Sequence, residues 1–135
     1  ELLRVTKPGG RIVLTSWIPT GPISKLGNVI REAFGQPEQA HTWSDPDTVR
    51  ELFAGHEIEI TEQEIVFVAP SLDAYIEDQA EHHPMWIEGK GPLQQMGKLD
   101  HVMARARELY DEANEDPDGF RITSRYWLVS VTRAT

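Results

Sequence analysis

Leu2-Leu3-Arg4-Val5-Thr6-Lys7-Pro8-Gly9-Gly10-Arg11-Ile12-Val13-Leu14-Thr15-Ser16-Trp17 joins a helix end, a tight turn and a buried strand within sixteen residues. Leu2, Leu3 and Val5 suit the apolar face of a helix's last turns, and Lys7 stands where a cation suits the negative helix end. Pro8 cannot continue a helix, and Gly9-Gly10 supplies the positive φ of an abrupt reversal. Ile12-Val13-Leu14 is short, branched and continuous rather than alternating, the pattern of a strand covered on both faces in an α/β sheet.

The remaining elements follow in order. Ile18 to Pro22 reads as loop, because two prolines and a glycine interrupt any ladder or helix. Ile23, Leu26, Ile30, Ala33 and Phe34 recur at helical spacing up to Gly35. Asp45 caps a second helix with Pro46 at its first position; Val49, Leu52 and Phe53 form its apolar face and Gly55 ends it. Ile58, Ile60 and the run Ile65 to Val68 make one long bent strand or two short ones. Ser71 caps a helix with Leu72, Tyr75, Ile76 and Gln79 inside, stopped by Pro84. A loop from Pro84 to Pro92 precedes the longest helix, marked by Leu93, Met96, Leu99, Met103, Ala106, Tyr110 and Ala113. Phe120 to Thr132 closes the chain as a long strand, apolar on both faces from Trp127 to Val131.

The segment from Leu2 to Arg11, followed by an apolar strand and Trp17, resembles one stretch of the class I S-adenosylmethionine-dependent methyltransferases, most closely the small-molecule enzymes related to ubiquinone biosynthesis. There a helix ending in Leu-Arg-Val-x-Lys-Pro-Gly-Gly-Arg leads into the fifth strand. The motif covers about an eighth of the chain, and the element order behind it fits more loosely. The resemblance implies an α/β fold: the C-terminal half of a Rossmann-like domain with about three strands in 5-7-6 order, the last antiparallel, and covering helices. It makes residues 1–135 a single partial domain with 71–114 inserted as a helical lid over the substrate. A hairpin loop there would need only about two to five residues.

The same resemblance places the family's cofactor-binding elements upstream of this motif. Gly9-Gly10, Gly89-Lys90-Gly91 and Asp118-Gly119 do not form the G-x-G-x-x-G fingerprint. S-adenosylmethionine is therefore the cofactor of the intact family, with none expected for this chain alone. The missing initiating methionine fits a processed or truncated product. Two functions stay open: the substrate-side part of a methyltransferase, inactive alone, or a stand-alone small-molecule-binding or dimerisation module.

Composition narrows the rest. The chain has 135 residues, a net charge of −9, 39% hydrophobic residues and no cysteine. One modest core is affordable at this length. The negative balance without a Lys/Arg cluster argues against nucleic acid. No apolar run of about 18 residues or signal pattern supports a membrane span or secretion, so a cytoplasmic location is expected. Without cysteine there is no disulfide, thiolate metal site or thiol nucleophile.

Methyl transfer depends mainly on holding the nucleophile in line with the methyl group, with a general base where that nucleophile carries a proton. His41, His56, His82, His83 and His101 are the available bases. His82 and His83 are candidates for substrate binding because they fall in the expected lid beside Trp86; the same pattern describes two solvated residues ending an acidic helix. Trp17 is a candidate pocket wall, because open α/β sheets place ligands at strand C-termini. Trp43, Trp86 and Trp127 are further aromatic surface for an apolar ligand. Glu81-His82-His83 lacks metal-ligand spacing, and Ser16 lacks the glycines of a hydrolase elbow, so no metal is expected. With the first half absent, the strand Arg11 to Ser16 has an open edge, and a homodimer through that strand is expected.

Overall fold

The computed structural model describes residues 1–37 and 43–135. Its elements are α1 (Leu2–Val5), β1 (Arg11–Trp17), α2 (Pro22–Ala33), α3 (Pro46–Leu52), β2 (Glu57–Ala69), α4 (Leu72–His82), α5 (Pro84–Gln95), α6 (Leu99–Ala113) and β3 (Phe120–Thr132). The three strands form one sheet in the order β1-β3-β2, with β1 antiparallel to β3. This is the α/β arrangement expected of the family's last three strands. The segment Glu57–Ala69 is one continuous strand.

The chain sorts into two compact units. The first holds Glu1–Gly21, Ala40–Glu64 and Arg125–Thr135. Its core is Ile12, Val49, Phe53, Val129 and Val131, with Leu3, Leu14, Ile58, Ile60 and Trp127 packed around them. Asp45 caps α3 as expected, its carboxylate accepting from the backbone N–H of Asp47 and Thr48, with Pro46 inside the first turn. Thr48, through its hydroxyl first and its backbone N–H second, holds the Asp45 carboxyl below the usual carboxylate range. Val49 and Phe53 face inward, but Leu52 is exposed.

The opening turn folds as the sequence indicates, with one change of role. Thr6 leaves the helix in an extended conformation, and Gly9 takes a φ of +72°. Gly10 is needed for closeness rather than for φ: a Cβ there would lie 2.7 Å from the Lys7 carbonyl oxygen and the Thr6 methyl. Beyond the turn, Arg133 closes the ladder, its N–H donating to Gly10 O at 2.9 Å and its guanidinium to Thr6 O.

The second unit holds Pro22–Gln39 and Ile65–Ser124. Leu26, Ile30 and Ala33 of α2, Tyr75 and Ile76 of α4, Trp86 and Leu93 of α5, and Val102, Ala106, Leu109 and Tyr110 of α6 bury against Phe120 and Ile122. Lys98 donates to Ala33 O at 2.6 Å, setting a cation on the last carbonyls of α2. Arg107 pairs with Asp73, linking α6 to α4.

Three expectations are corrected here. The segment from Pro84 to Pro92 is helix, not loop: Pro84 sits in the first turn, where its missing N–H costs nothing, and the His83 ring accepts from Met85 N. Trp86 and Leu93, seven residues apart and so on one face, are 3% and 1% exposed, and their burial outweighs Gly89, Gly91 and the interior Pro92. Consequently Leu93 belongs to α5 and Met96 caps it; Gly97, at φ +67°, separates α5 from the fifteen-residue α6. Finally, Ile12-Val13-Leu14 is covered on one face only. Ile12 is 6% exposed and Val13 56%.

Two glycines predict opposite signs. Gly10→Ala forces a methyl against backbone and should destabilise by about 1–3 kcal/mol. Gly27→Ala, inside α2 with nothing within 4 Å of the new Cβ, should stabilise by about 0.5–1 kcal/mol. Denaturant midpoints of the two variants check both.

Candidate functional site

Alternation along β1 and its register with β3 place every side chain at the end of this strand. Ile12, Leu14 and Ser16 stand opposite Val131, Val129 and Trp127; Val13, Thr15 and Trp17 stand opposite Ser130, Leu128 and Tyr126. Directly opposed residues share a face, so the first set joins the core with Val49 and Phe53, and the second forms the other face of this part of the sheet. Trp17 packs edge-on against Tyr126, ring centroids 5.9 Å apart, and remains 37% exposed.

On the core face, a cavity of about 220 Å³ is lined by Leu14, Thr15, Ser16, Trp43, Val49 and Val129. It lies at the C-terminal end of β1, where α/β sheets present ligands. Its walls are mostly hydrocarbon and indole, with the Ser16 hydroxyl for orientation. The Trp127 indole N–H donates to Ser44 O at 3.1 Å and fixes the segment entering α3, while the Trp43 ring leans on Phe53 with centroids 6.4 Å apart. The volume is below the roughly 300–1,000 Å³ of drug-sized ligand pockets; it admits a ring or short branched chain.

A second hollow of about 370 Å³ lies in the other unit, lined by Phe67, Val68, Ala69, Pro70, Ala74, Tyr75, Asp78 and Gln79. Beneath it Tyr75 stacks on Phe120 at 4.3 Å and meets Tyr110 edge-on at 5.1 Å. Burial pushes the Tyr75 phenol up, and burial followed by the neighbouring Tyr75 pushes Tyr110 further up. Both phenols therefore stay protonated near neutral pH.

The sequence-derived candidates are distributed as follows. Trp17 ends β1 in the first unit, on the face opposite the cavity. His82, His83 and Trp86 lie in the second unit. The His82 ring, solvent-exposed, contacts Asp78 O at 3.1 Å; His83 spends Nδ1 on capping α5; Trp86 is core. His56 Nδ1 accepts from Ala134 N at 3.0 Å, His101 is exposed on α6, and His41 lies outside the described residues. None of the described histidines lines either hollow. Ser16 and Trp43 line the cavity; alternation from Trp17 puts Ser16 on the opposite face, but only tertiary folding brings Trp43 to it.

No family model matches the chain, and no curated protein matches it. Among solved structures it is similar to a "putative methyltransferase" from Bacillus halodurans C-125, with 21% identity and a TM-score of 0.47, covering 98% of this chain and 55% of that one. The chain thus spans about half the length of that structure. A likeness this distant carries no activity across.

The paired phenols predict an alkaline limit. Their folded pKa values lie above the unfolded value of about 10, so their contribution is complete below about pH 10 and is lost as pH rises further. Thermal stability should fall above about pH 10, and Tyr75→Phe with Tyr110→Phe should flatten that fall. An unchanged alkaline slope in the double variant would contradict it.

Proposed function

We propose that this chain is the substrate-side, C-terminal part of an S-adenosylmethionine-dependent methyltransferase acting on a small molecule, and that it is inactive without a cofactor-binding part. One observation carries the reading. The motif Leu2 to Arg11 coincides with a structural unit, a helix ending at Thr6, a reversal through Gly9 and a strand from Arg11, and that strand pairs antiparallel with a central last strand.

The residues present do not make a cradle for the cofactor. A Gly-rich cradle needs glycine between a strand and the helix that follows it. The positive-φ glycines here, Gly9, Gly35, Gly55 and Gly97, all follow helix C-termini, after α1, α2, α3 and α5. They reverse the chain, and the one glycine between a strand and the helix that follows it, Gly21 between β1 and α2, stands alone before Pro22, whose nitrogen carries no hydrogen.

What the chain's own residues supply is positioning. Leu14, Val49, Val129 and Trp43 exclude water from a ring-sized group, and the Ser16 hydroxyl offers a hydrogen bond at its edge. The same cavity also supports the second reading, a stand-alone small-molecule-binding module, because it is complete within one unit.

Titration calorimetry tests the proposal. S-adenosylmethionine added to the chain at micromolar concentration should give no binding heat, and an in-frame coding segment for a Gly-rich strand–helix unit should precede this one. Stoichiometric binding by the chain alone would overturn it.

A further inference from the structure

The hollow beside β2 is a groove along the strand's edge. Residues 67–70, four in a row, line it, which a hollow on one sheet face does not allow, because successive side chains point to opposite faces. No residue of β3 lines it, and its other wall is Ala74, Tyr75, Asp78 and Gln79, one side of α4. It therefore lies between α4 and the edge of β2 that faces away from β3. Among the described residues, no hydrogen bond joins residues 65–69 to a group outside the sheet, so the outward N–H and C=O groups of this edge have no partner there. The upstream part of the proposed function extends the sheet at β1, on the other side of β3, and leaves this edge outermost.

Residues 65–69 carry no charge and no proline, the usual devices that blunt an edge. Phe67 and Ala69 pack on the core of their unit, whereas Val66 and Val68 point to the other face and are 37% and 68% exposed. A strand added here sets one row of side chains toward α4 and the alternate row beside Val66 and Val68. The row toward α4 meets acid. Residues 57–82 hold eight Asp or Glu and no Lys or Arg. On α4, Asp73 pairs with Arg107, while Asp78, in the wall of the groove, has only the exposed His82 ring beside it. A second copy brings the same acidic helix to the groove, so like charges oppose self-pairing, and a cationic strand is the complementary occupant.

We propose that this groove takes an extended segment of another protein in which apolar residues alternate with Lys or Arg. The segment adds to β2 as a further strand, its main chain hydrogen-bonded to residues 65–69. Its apolar row covers Val66 and Val68. Its cationic row enters the hollow, where an aliphatic stem lies on Phe67 and Tyr75 and the charged end reaches Asp78 at the rim. Main-chain pairing supplies the affinity, and the acid along α4 selects the charge of the partner. The edge is the same in a methyltransferase part and in a stand-alone module, so the docking does not depend on which of the two this chain is.

A dye-labelled heptapeptide of alternating valine and lysine tests this by fluorescence anisotropy at physiological salt. It should saturate the chain with a dissociation constant on the order of 100 µM or tighter. A peptide of the same composition with its valines and lysines in separate blocks should bind roughly tenfold more weakly, because strand addition needs the alternation and charge alone does not. The N–H groups of the valines and of the lysines point to opposite edges of the peptide, so N-methylating one set should abolish binding and N-methylating the other should leave it. Asp78→Asn should weaken binding about threefold, the loss of one exposed ion pair. Ala74→Arg, which fills the groove and adds a cation, should abolish binding while keeping the circular dichroism of the unmodified chain. No binding of the alternating peptide overturns the proposal. Equal binding of the block peptide, equal loss from both methylated peptides, or binding untouched by either variant also overturns it. So does a chain that sediments as a dimer and becomes a monomer with Ala74→Arg, which puts a second copy in the groove.

Discussion

The ladder between β1 and β3 constrains everything else in the first unit. Its register, Arg11 to Thr132 through Trp17 to Tyr126, decides which side chains are core and which are surface. A slip of one residue would move Ile12, Leu14, Val129 and Val131 off Val49 and Phe53 and put Val13 in their place. The turn before β1 protects that register. Gly9 reverses the chain, Gly10 lets it pass close to Lys7, and Arg133 binds back to Gly10 and Thr6 from the far end of β3. A short motif therefore serves as the point where the two terminal segments are fixed to one another.

Much of this was legible because its causes are local. Asp45-Pro46 carries its own cap and first-turn residue, Ser71 accepts from Ala74 N as a helix start should, and Phe120–Thr132 is bounded by an Asp-Pro-Asp-Gly turn before it. α5 was illegible for the converse reason. Gly89-Lys90-Gly91-Pro92 speaks for a loop on propensity alone, and the helix exists because Trp86 and Leu93 are buried by α4 and α6, which periodicity over so short a stretch does not reveal. The long helix was misplaced at its start for the same cause. Its buried row, Val102, Ala106, Leu109 and Tyr110, shares Ala106 and Tyr110 with the stripe read from the sequence and adds Val102 and Leu109, while Leu99, Met103 and Ala113 pack partly buried beside it.

The site divides along similar lines. Trp17 was legible as the last residue of a strand, but a continuous apolar run does not say whether one face is covered or two. The structure puts Trp17 with Tyr126 on one face and the cavity of Ser16 and Trp43 on the other. Trp43 comes to Val49 only through the Asp45 cap and the Trp127–Ser44 bond, so no spacing in the sequence signals it. The histidines were legible only as a residue type. In the fold, His83 caps a helix and His56 accepts a backbone N–H, structural uses that compete with catalysis.

The register itself is the claim to measure first. Nuclear Overhauser contacts between Hα atoms report the close, non-hydrogen-bonded pairs of an antiparallel ladder, whose Cα atoms are about 4.5 Å apart. The account predicts contacts from Val13 to Ser130 and from Thr15 to Leu128, with slowly exchanging amides at Ile12, Leu14 and Ser16. Contacts from Leu14 to Val129 in their place, or contacts shifted by one residue along β3, would contradict it.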